Sequence, residues 1–527
     1  MRRGTRSSAF FDHIVVGAGS TGAVIAARLA ERTDRRVLLI EAGPDYHGRA
    51  LPAELEDGRT PSLGSHDWGY TVQGPGESEF WLPRGKVVGG CSSINTCIAL
   101  RPEPGDFDDW PSGRTSWSWE EVLDGFIAVE TDIDQAGDHH GGHGPLRLAR
   151  IPSERMTPLS RAFAEACRQA GFDSIADHNE PGSTGVGALP LNVDGSLRRI
   201  STAGAFLEPA RQRANLTVMP DTLVDSVLFA GSRAVGVRVV SDGRERDIGA
   251  AEVTLSAGAI GSPAILLRSG IGKAEDLRTL GIDVVADLPA VGRNLADHSQ
   301  VPLICAPPPG AVDLSAPCAE VLLRYRAQGS TMANDMQLCL LNHVEMSKYM
   351  PSRAASVRGS HAFVITANLM GPESRGTVRL ASRDPREHPS VHLDYLAAAS
   401  DRARLRDGLR LARRIADGPG IGRFIEGLVD IGDWSVDDDA STDRYIATHI
   451  QTAHHPSGTA AMASGAATGV VDSECQVFGT DGLRVADASV IPSSVRANTN
   501  LTCIMIGERV AGSLSGTAQK KWTVDAV

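Results

Sequence analysis

Two adjacent histidines and an asparagine near the end of the chain could together move a proton. His454 and His455 open the run His-His-Pro-Ser-Gly-Thr at 454–459, and Asn498 stands at the entry to the apolar run LTCIMIGERVAG. A neutral imidazole can take a proton from a hydroxyl near pH 7, and an amide can hold an oxygen without titrating. His455 and Asn498 are 43 positions apart. One sits in a tight Pro/Gly turn and the other where a helix begins, so they meet only if the chain folds between them. The spacing predicts a site built by the fold.

The object they would face is written at the other end. FDHIVVGAGSTGAVIAARLAERTDRRVLLIEAGPD at 11–45 reads as strand, Gly-rich turn, helix, strand and acidic residue, the pattern of a dinucleotide-binding unit. Ile14, Val15 and Val16 predict a buried strand, and Gly17, Gly19 and Gly22 hold the G-x-G-x-x-G spacing. Gly17 permits the sharp turn, Gly19 lets a pyrophosphate approach, and Gly22 lets the helix pack on the sheet. The helix starting near Thr21 points free N–H groups at the phosphates. Glu41, ending the second strand, is placed to accept from a ribose hydroxyl.

Elements elsewhere must carry these groups to one place. The runs LTVMP, SVLFA, AVGVRVVS and EVTLSAG over 216–258 predict a meander completing the nucleotide-binding half. Strands such as AFVITANLM and GTVRLAS and a helix across 401–417 form a different pattern between 301 and 450. Ala-Pro-Pro-Pro-Gly at 306–310 is the strongest boundary signal. The expected fold is α/β: a Rossmann-like domain made of 10–155, 200–300 and 455–520, and a substrate domain, an antiparallel sheet with helices, made of 156–199 and 301–454. The first ten residues and 517–527 read as frayed ends.

Composition excludes several partners. The chain has 527 residues, 52 Lys and Arg against 64 Asp and Glu, and a net charge of −12 without a long basic run, which argues against nucleic acid and anionic membrane surfaces. No stretch of eighteen apolar residues occurs, and MRRGTRSSAF precedes the first strand without an apolar signal segment, so a cytoplasmic protein is expected. Eight scattered cysteines with no C-x-x-C read as packed free thiols. The HHGGH run at 139–143 lacks carboxylate or Cys companions at ligand spacing, so a surface loop is expected there and no metal.

Six segments, in order, then carry a resemblance that spans nearly the whole chain. The Gly-rich fingerprint, RGKVVGGCSSIN at 84–95, HGGHGP at 140–145, GAIGSPAILLRSGIG at 258–272, VGRNLADH at 291–298 and the C-terminal His and Asn motifs are similar to those of the glucose-methanol-choline oxidoreductases, which are flavoenzymes. The resemblance implies FAD, bound by Gly17, Gly19, Ser20, Thr21, Gly22 and Glu41, by Arg84, Val88, Gly90, Cys91, Asn95 and Thr96, by Val224, and by Asp487, Ala488, Asn498 and Thr499. It implies alcohol oxidation with His455 as base, Asn498 as its partner at the substrate oxygen, and His454 shaping the pocket. In the 258–272 segment, Ser262-Pro263 is expected to open a helix, Ser as cap and Pro in the first turn.

Departures from the family pattern narrow the substrate. GGCSSINTCIAL at 89–100 is most similar to the choline-oxidising branch, but Ile94 stands where that branch has a His that can be tethered to flavin, so non-covalent FAD is expected. Gln300 stands where an acidic residue would help hold a quaternary ammonium, and aromatics make up only 5% of the chain. A neutral primary alcohol, an aryl, furfuryl or sugar hydroxymethyl, is expected ahead of a cationic amino sugar or amino alcohol, with oxygen or another carrier accepting the electrons. A nicotinamide dehydrogenase would not need the 90–92 segment or the His/Asn pair. A flavin disulfide reductase would need a closer pair than Cys91 and Cys97. A non-redox lyase on the same fold is the remaining alternative.

Overall fold

The runs Phe10–Val16 and Val37–Ile40 are apolar apart from Asp12 and His13, and from His13 onward every residue of the two is buried, as befits strands covered on both faces. In the computed structural model, which describes residues 10–77 and 79–516, they are adjacent parallel strands. Leu216–Met219 flanks them on one side and Arg244–Leu255 on the other, with Leu483–Val485 parallel to the end of Arg244–Leu255. Helix Gly22–Leu29 connects the first two strands. Arg244–Leu255 is long enough to serve twice, because its first half leaves the parallel sheet and pairs antiparallel with Arg233–Ser241, itself paired with Leu223–Ala230. LTVM is therefore not part of the expected meander; it extends the parallel sheet beside Val37–Ile40.

The second large sheet is antiparallel, in the order Gly427–Leu428, Ser299–Ala306, His361–Leu369, Met336–Glu345, Val321–Tyr325, Gly185–Ala188. Helix Ala399–Ala416 packs against it. Its Leu405, Leu409, Ala412 and Ile415 fall at helical spacing and are buried with Leu303, Leu338 and Ile365 in one apolar core. A separate core joins Val15, Leu39, Val253 and Val485 of the parallel sheet to Ile504 and Ile506 of the C-terminal helix Thr499–Ser515. That helix crosses Gly22–Leu29 closely: a Cβ on Gly507 would lie 2.9 Å from the Thr21 carbonyl oxygen.

Two expectations about organisation change. The 306–310 run joins two strands of the same antiparallel sheet, so it is an internal loop. Strands Tyr70–Gln73 and Glu79–Leu82 join Ser390–His392 and Thr377–Arg379 in a four-stranded sheet, and Tyr70, Val72 and Leu82 pack in the second core, although 10–155 was expected to lie with the nucleotide-binding half. A β-hairpin reaching across to the other core leaves no composition shift behind. The expected frayed ends lie outside the described residues, apart from Phe10.

The HHGGH run is also placed differently. The His140 side chain is 4% exposed, with Asp132, Asp177 and Glu130 around its ring. Burial alone would lower its pKa, but hydrogen bonds to the three carboxylates raise it to about 11. Arg101 and Arg150 pair with the same carboxylates, so three acids face three cations in a buried network. Glu130 and Asp132 come from the strand that precedes the run and Asp177 from farther along the chain, so none stands at ligand spacing beside the histidines. All eight cysteines are free thiols, seven buried and Cys91 half-buried. No helix among the described residues is long and apolar enough to cross a membrane.

Candidate active site

A cavity of about 600 Å³ runs between the parallel and antiparallel sheets. At one end the Gly-rich turn forms its wall. Gly17 has φ +96°, and a Cβ there would stand 2.4 Å from the Ser256 carbonyl oxygen. Gly90 packs on Gly19, where a Cβ would come within 2.7 Å of the Gly19 Cα, while a Cβ on Gly19 would meet nothing nearer than the Gly90 Cα at 4.0 Å. Two glycine backbones meeting this way leave a cradle that a side chain would fill, which fits a pyrophosphate held by N–H groups. Ser20 Oγ donates to Asn500 Oδ1 at 2.7 Å, and Thr21 Oγ1 donates to the Cys503 carbonyl at 2.9 Å, fastening this turn to the C-terminal helix.

Glu41 ends its strand beside the cradle. Its carboxylate accepts from the Ala18 and Gly43 N–H groups, each at 2.9 Å, and its pKa is raised by burial to about 7. These two bonds aim the carboxylate into the cavity wall and leave lone pairs for a ribose hydroxyl. Val224 lines the same end.

Helix Gly258–Arg268 starts five residues earlier than the Ser262-Pro263 cap predicts, and Pro263 lies inside it. The Ser262 hydroxyl instead donates to Asp487 Oδ2, which also accepts from the Gly258 N–H, so Asp487 caps the helix from outside. Pro263 has no N–H for the Ala259 carbonyl one turn back. The Thr459 hydroxyl takes its place, donating to that carbonyl at 2.6 Å. A residue of the His-Pro-Ser-Gly-Thr turn thus repairs the helix, and the helix in turn fixes the turn that carries His455.

That turn is held on its other flank by Asp297. The buried Asp297 carboxylate accepts from the His455 N–H at 2.8 Å, from the Thr452 hydroxyl at 2.6 Å and from the Tyr395 hydroxyl; burial raises its pKa, and these bonds oppose the rise. His455 Nε2 lies 3.0 Å from Asn498 Nδ2 and His455 Nδ1 lies 3.0 Å from His298 Nδ1. Asn498 occupies the N-cap position of helix Thr499–Ser515 without making a side-chain cap bond, so its amide is turned to His455 instead. His298 Nε2 is 3.0 Å from Ser494 Oγ. The Asn498 Nδ2 can only donate, so Nε2 carries the lone pair; Nδ1–H then donates to His298 Nδ1, and His298 Nε2–H donates to Ser494. Burial, reinforced by His298, His454 and Arg84, pushes the His455 pKa well below the usual histidine value, and burial pushes His298 down to about 4. Both rings are neutral at pH 7.

The remaining candidates divide. His454, Gln300, Arg84, Cys91, Asn95, Thr96, Ala488 and Thr499 all line the cavity. His454 has φ +70° and a pKa lowered by burial to about 3, and its carbonyl accepts from Arg84 Nη2 at 2.8 Å. Asn95 Oδ1 is taken by the Cys97 N–H and the Arg199 guanidinium, leaving its amide nitrogen for a ligand. Two candidates do not line it. Val88 is 5% exposed in the first core, and Gly22 packs onto Gly17, where a Cβ would fall 1.9 Å from the carbonyl oxygen. Both help shape the cradle from behind. His298 and Asp297 were missed as site residues; the signal was their place at the end of the VGRNLADH segment.

Family models for the two parts of GMC oxidoreductases match residues 11–300 and 372–507. The chain belongs to the GMC oxidoreductase family. Members bind FAD, and the glycine cradle, Glu41 and the free Asn95 amide suit that cofactor. An oxygen-dependent choline dehydrogenase of Chromohalobacter salexigens is 35% identical over 535 residues, covering 96% of this chain and 95% of its own. The crystal structure of pyridoxine 4-oxidase from Mesorbium loti superposes with a TM-score of 0.86 at 29% identity, over 96% of this chain and all of that one. A fungal aryl-alcohol oxidase, at 21% identity and a TM-score of 0.81 over 96% and 98% of the two chains, shares the fold.

Proposed function

We propose that this oxidoreductase converts a neutral primary alcohol to an aldehyde, with His455 as the base. The observation that carries this reading is the neutral His455 with its Nε2 lone pair beside the Asn498 amide, both on the cavity wall. Bound FAD supplies the acceptor for the hydride leaving the alcohol carbon. The hydroxyl proton passes to His455 Nε2 as the C=O bond forms, so one hydride and one proton leave the alcohol. The Asn498 amide, displaced from Nε2 by the incoming hydroxyl, holds the substrate oxygen. His298 accepts from His455 Nδ1–H and is itself held by Ser494, which keeps the Nε2 lone pair turned to the substrate. His454, bent back by its positive φ and tied to Arg84, shapes the pocket beside the base.

The relatives' named substrates include choline, pyridoxine and aryl alcohols. Choline fits least well, because the residues level with the catalytic turn, Gln300, Gln337 and Asn368, carry no negative charge, and Glu345, the carboxylate this sheet adds to the cavity, lies at the opposite end of strand Met336–Glu345 from Gln337. The test is an anaerobic screen of aryl, furfuryl and sugar alcohols for bleaching of the bound flavin, followed by admission of air. Bleaching by a neutral alcohol supports the assignment, and rapid return of colour in air identifies oxygen as the acceptor. Bleaching by choline alone would replace the substrate class. No bleaching by any alcohol would leave the non-redox alternative standing.

A further inference from the structure

The antiparallel sheet presents three amides in one row. Gln300 is in register with Asn368, and Asn368 with Gln337, on the adjacent strands Ser299–Ala306, His361–Leu369 and Met336–Glu345. Residues in register share a face, and all three line the cavity. Two residues further along, Pro302, Thr366 and Cys339 form the next row, followed by Val364 and Leu341, so the surface turns apolar away from the amides. The amide row is level with the catalytic turn, because Gln300 pairs with Gln451 on the short strand that leads into His454 and His455.

These amides are not used by the fold in the same way. Gln300 Nε2 donates to the Thr452 carbonyl at 2.8 Å, which holds it in place. Gln337 Nε2 and Asn368 Oδ1 have no hydrogen-bond partner, although the two residues are only 3% and 8% exposed. Buried amides without partners cost stability and are few in native proteins, so two side by side on a cavity wall call for a functional explanation. Arg324, next in the register after Gln337, is spent on Glu103 Oε1 at 2.6 Å and on the His178 carbonyl, so no free charge stands in the row.

We propose that Gln337 and Asn368 bind a second polar group of the substrate, neutral and able both to donate and to accept, as a ring or sugar hydroxyl does. This rests on the alcohol oxidation proposed above and names the substrate class within it: a polyfunctional, uncharged alcohol, oxidised at one hydroxymethyl and recognised at another hydroxyl. A site built to pair with a hydroxyl rejects an analogue that lacks it, because the site's own polar atoms are then left unpaired.

The test uses the flavin-loaded enzyme with benzyl alcohol, its three ring-hydroxylated isomers and their ring-methyl isosteres, with kcat/KM read for each. At least one hydroxylated isomer should exceed its methyl isostere by about 10-fold or more in the parent. Gln337→Met and Asn368→Leu should each erase that preference, through a lower kcat/KM on the hydroxylated isomer, while retaining parental flavin content. Because each replacement removes an unpartnered buried polar atom, both variants should also melt no lower than the parent without substrate. Equal rates for every hydroxyl and methyl pair in the parent, preference unchanged in the variants, or variants that fail to fold would each overturn the proposal. If the alcohols reduce the flavin without such a preference, only the second-group assignment falls. If none of them reduces it, the oxidation reading falls with it.

Discussion

His298 Nδ1 lies 3.0 Å from His455 Nδ1, with the two rings edge to face at 71°. Two buried imidazoles cannot both present a proton at that contact, so one must be the acceptor. Asn498 on the far side of His455 decides the direction. His298 therefore fixes the tautomer of the base without touching the substrate, and it is a positioning residue.

His298→Ala should slow anaerobic flavin reduction by at least about 10-fold, because the base loses the partner that fixes its tautomer. It should also move the pH profile. The base works only when neutral, so activity falls as pH drops through its pKa, which in the parent lies well below 6.5. Removing His298 takes away one of the groups that depress that pKa, so the acid limb should shift to higher pH. Stability gives an independent check. His298 has a folded pKa of about 4 against 6.5 unfolded, so the unfolded chain binds the extra proton between those values and stability falls as pH falls. The variant should lack that contribution, at most about 1.4 kcal/mol per pH unit. A parental pH profile in the variant would remove His298 from the mechanism.

His455→Ala should reduce flavin about 10²–10⁴-fold more slowly than the parent without losing FAD, the range expected for loss of a positioned base. Asn498→Ala should cost roughly 10-fold or more, as for loss of a donor at the substrate oxygen. His454→Ala should change mainly substrate affinity. Stopped-flow reduction of the three variants distinguishes the roles, and a parental rate in His455→Ala would reject the base assignment.

The local devices were legible in the sequence and the long-range ones were not. Ile14-Val15-Val16 with the glycine spacing named the first strand, turn and helix, because a βαβ unit is specified by residues close in the chain. His455 and Asn498 could be paired because each stands in a distinctive local setting. Asp297 and His298 read as a loop segment, since the contacts that give them meaning reach 158 and 157 positions along the chain. The amide row was hidden for a related reason: Gln300 was read by itself, whereas its partners Asn368 and Gln337 are defined only by strand register. His140 was read as exposed because its carboxylates come from elsewhere, Glu130 and Asp132 from one strand and Asp177 from a later loop.

Cofactor retention tests the other end of the cavity. Glu41→Ala should lower FAD content after dialysis while leaving the reductive rate of the remaining holoenzyme nearly parental, because Glu41 lies at the Gly-rich end and not beside His455. The flavin itself should be released into the supernatant by acid precipitation, since Ile94, packed on Leu55 and Val87, offers no atom for a tether. Flavin that stays with the pellet would point to Cys91, the half-buried thiol on the cavity wall. Normal FAD content in Glu41→Ala with slowed reduction would show that Glu41 acts on the chemistry and not on retention.

Thr459 and Pro263 form a pair whose coupling can be measured. Thr459→Val keeps the shape of the side chain but removes the hydroxyl that completes the Ala259 carbonyl, leaving that buried acceptor unpaired. The expected cost is about 1–3 kcal/mol, seen as a lower melting temperature. Pro263→Ala restores a backbone N–H at the position that bonds the same carbonyl, so in that background Thr459→Val should cost much less. The reductive rate should follow the same pattern, falling in Thr459→Val and recovering in the double variant, because the helix and the turn that carries His455 share this bond. Additive losses in the double-mutant cycle would show that the hydroxyl serves something other than the proline gap.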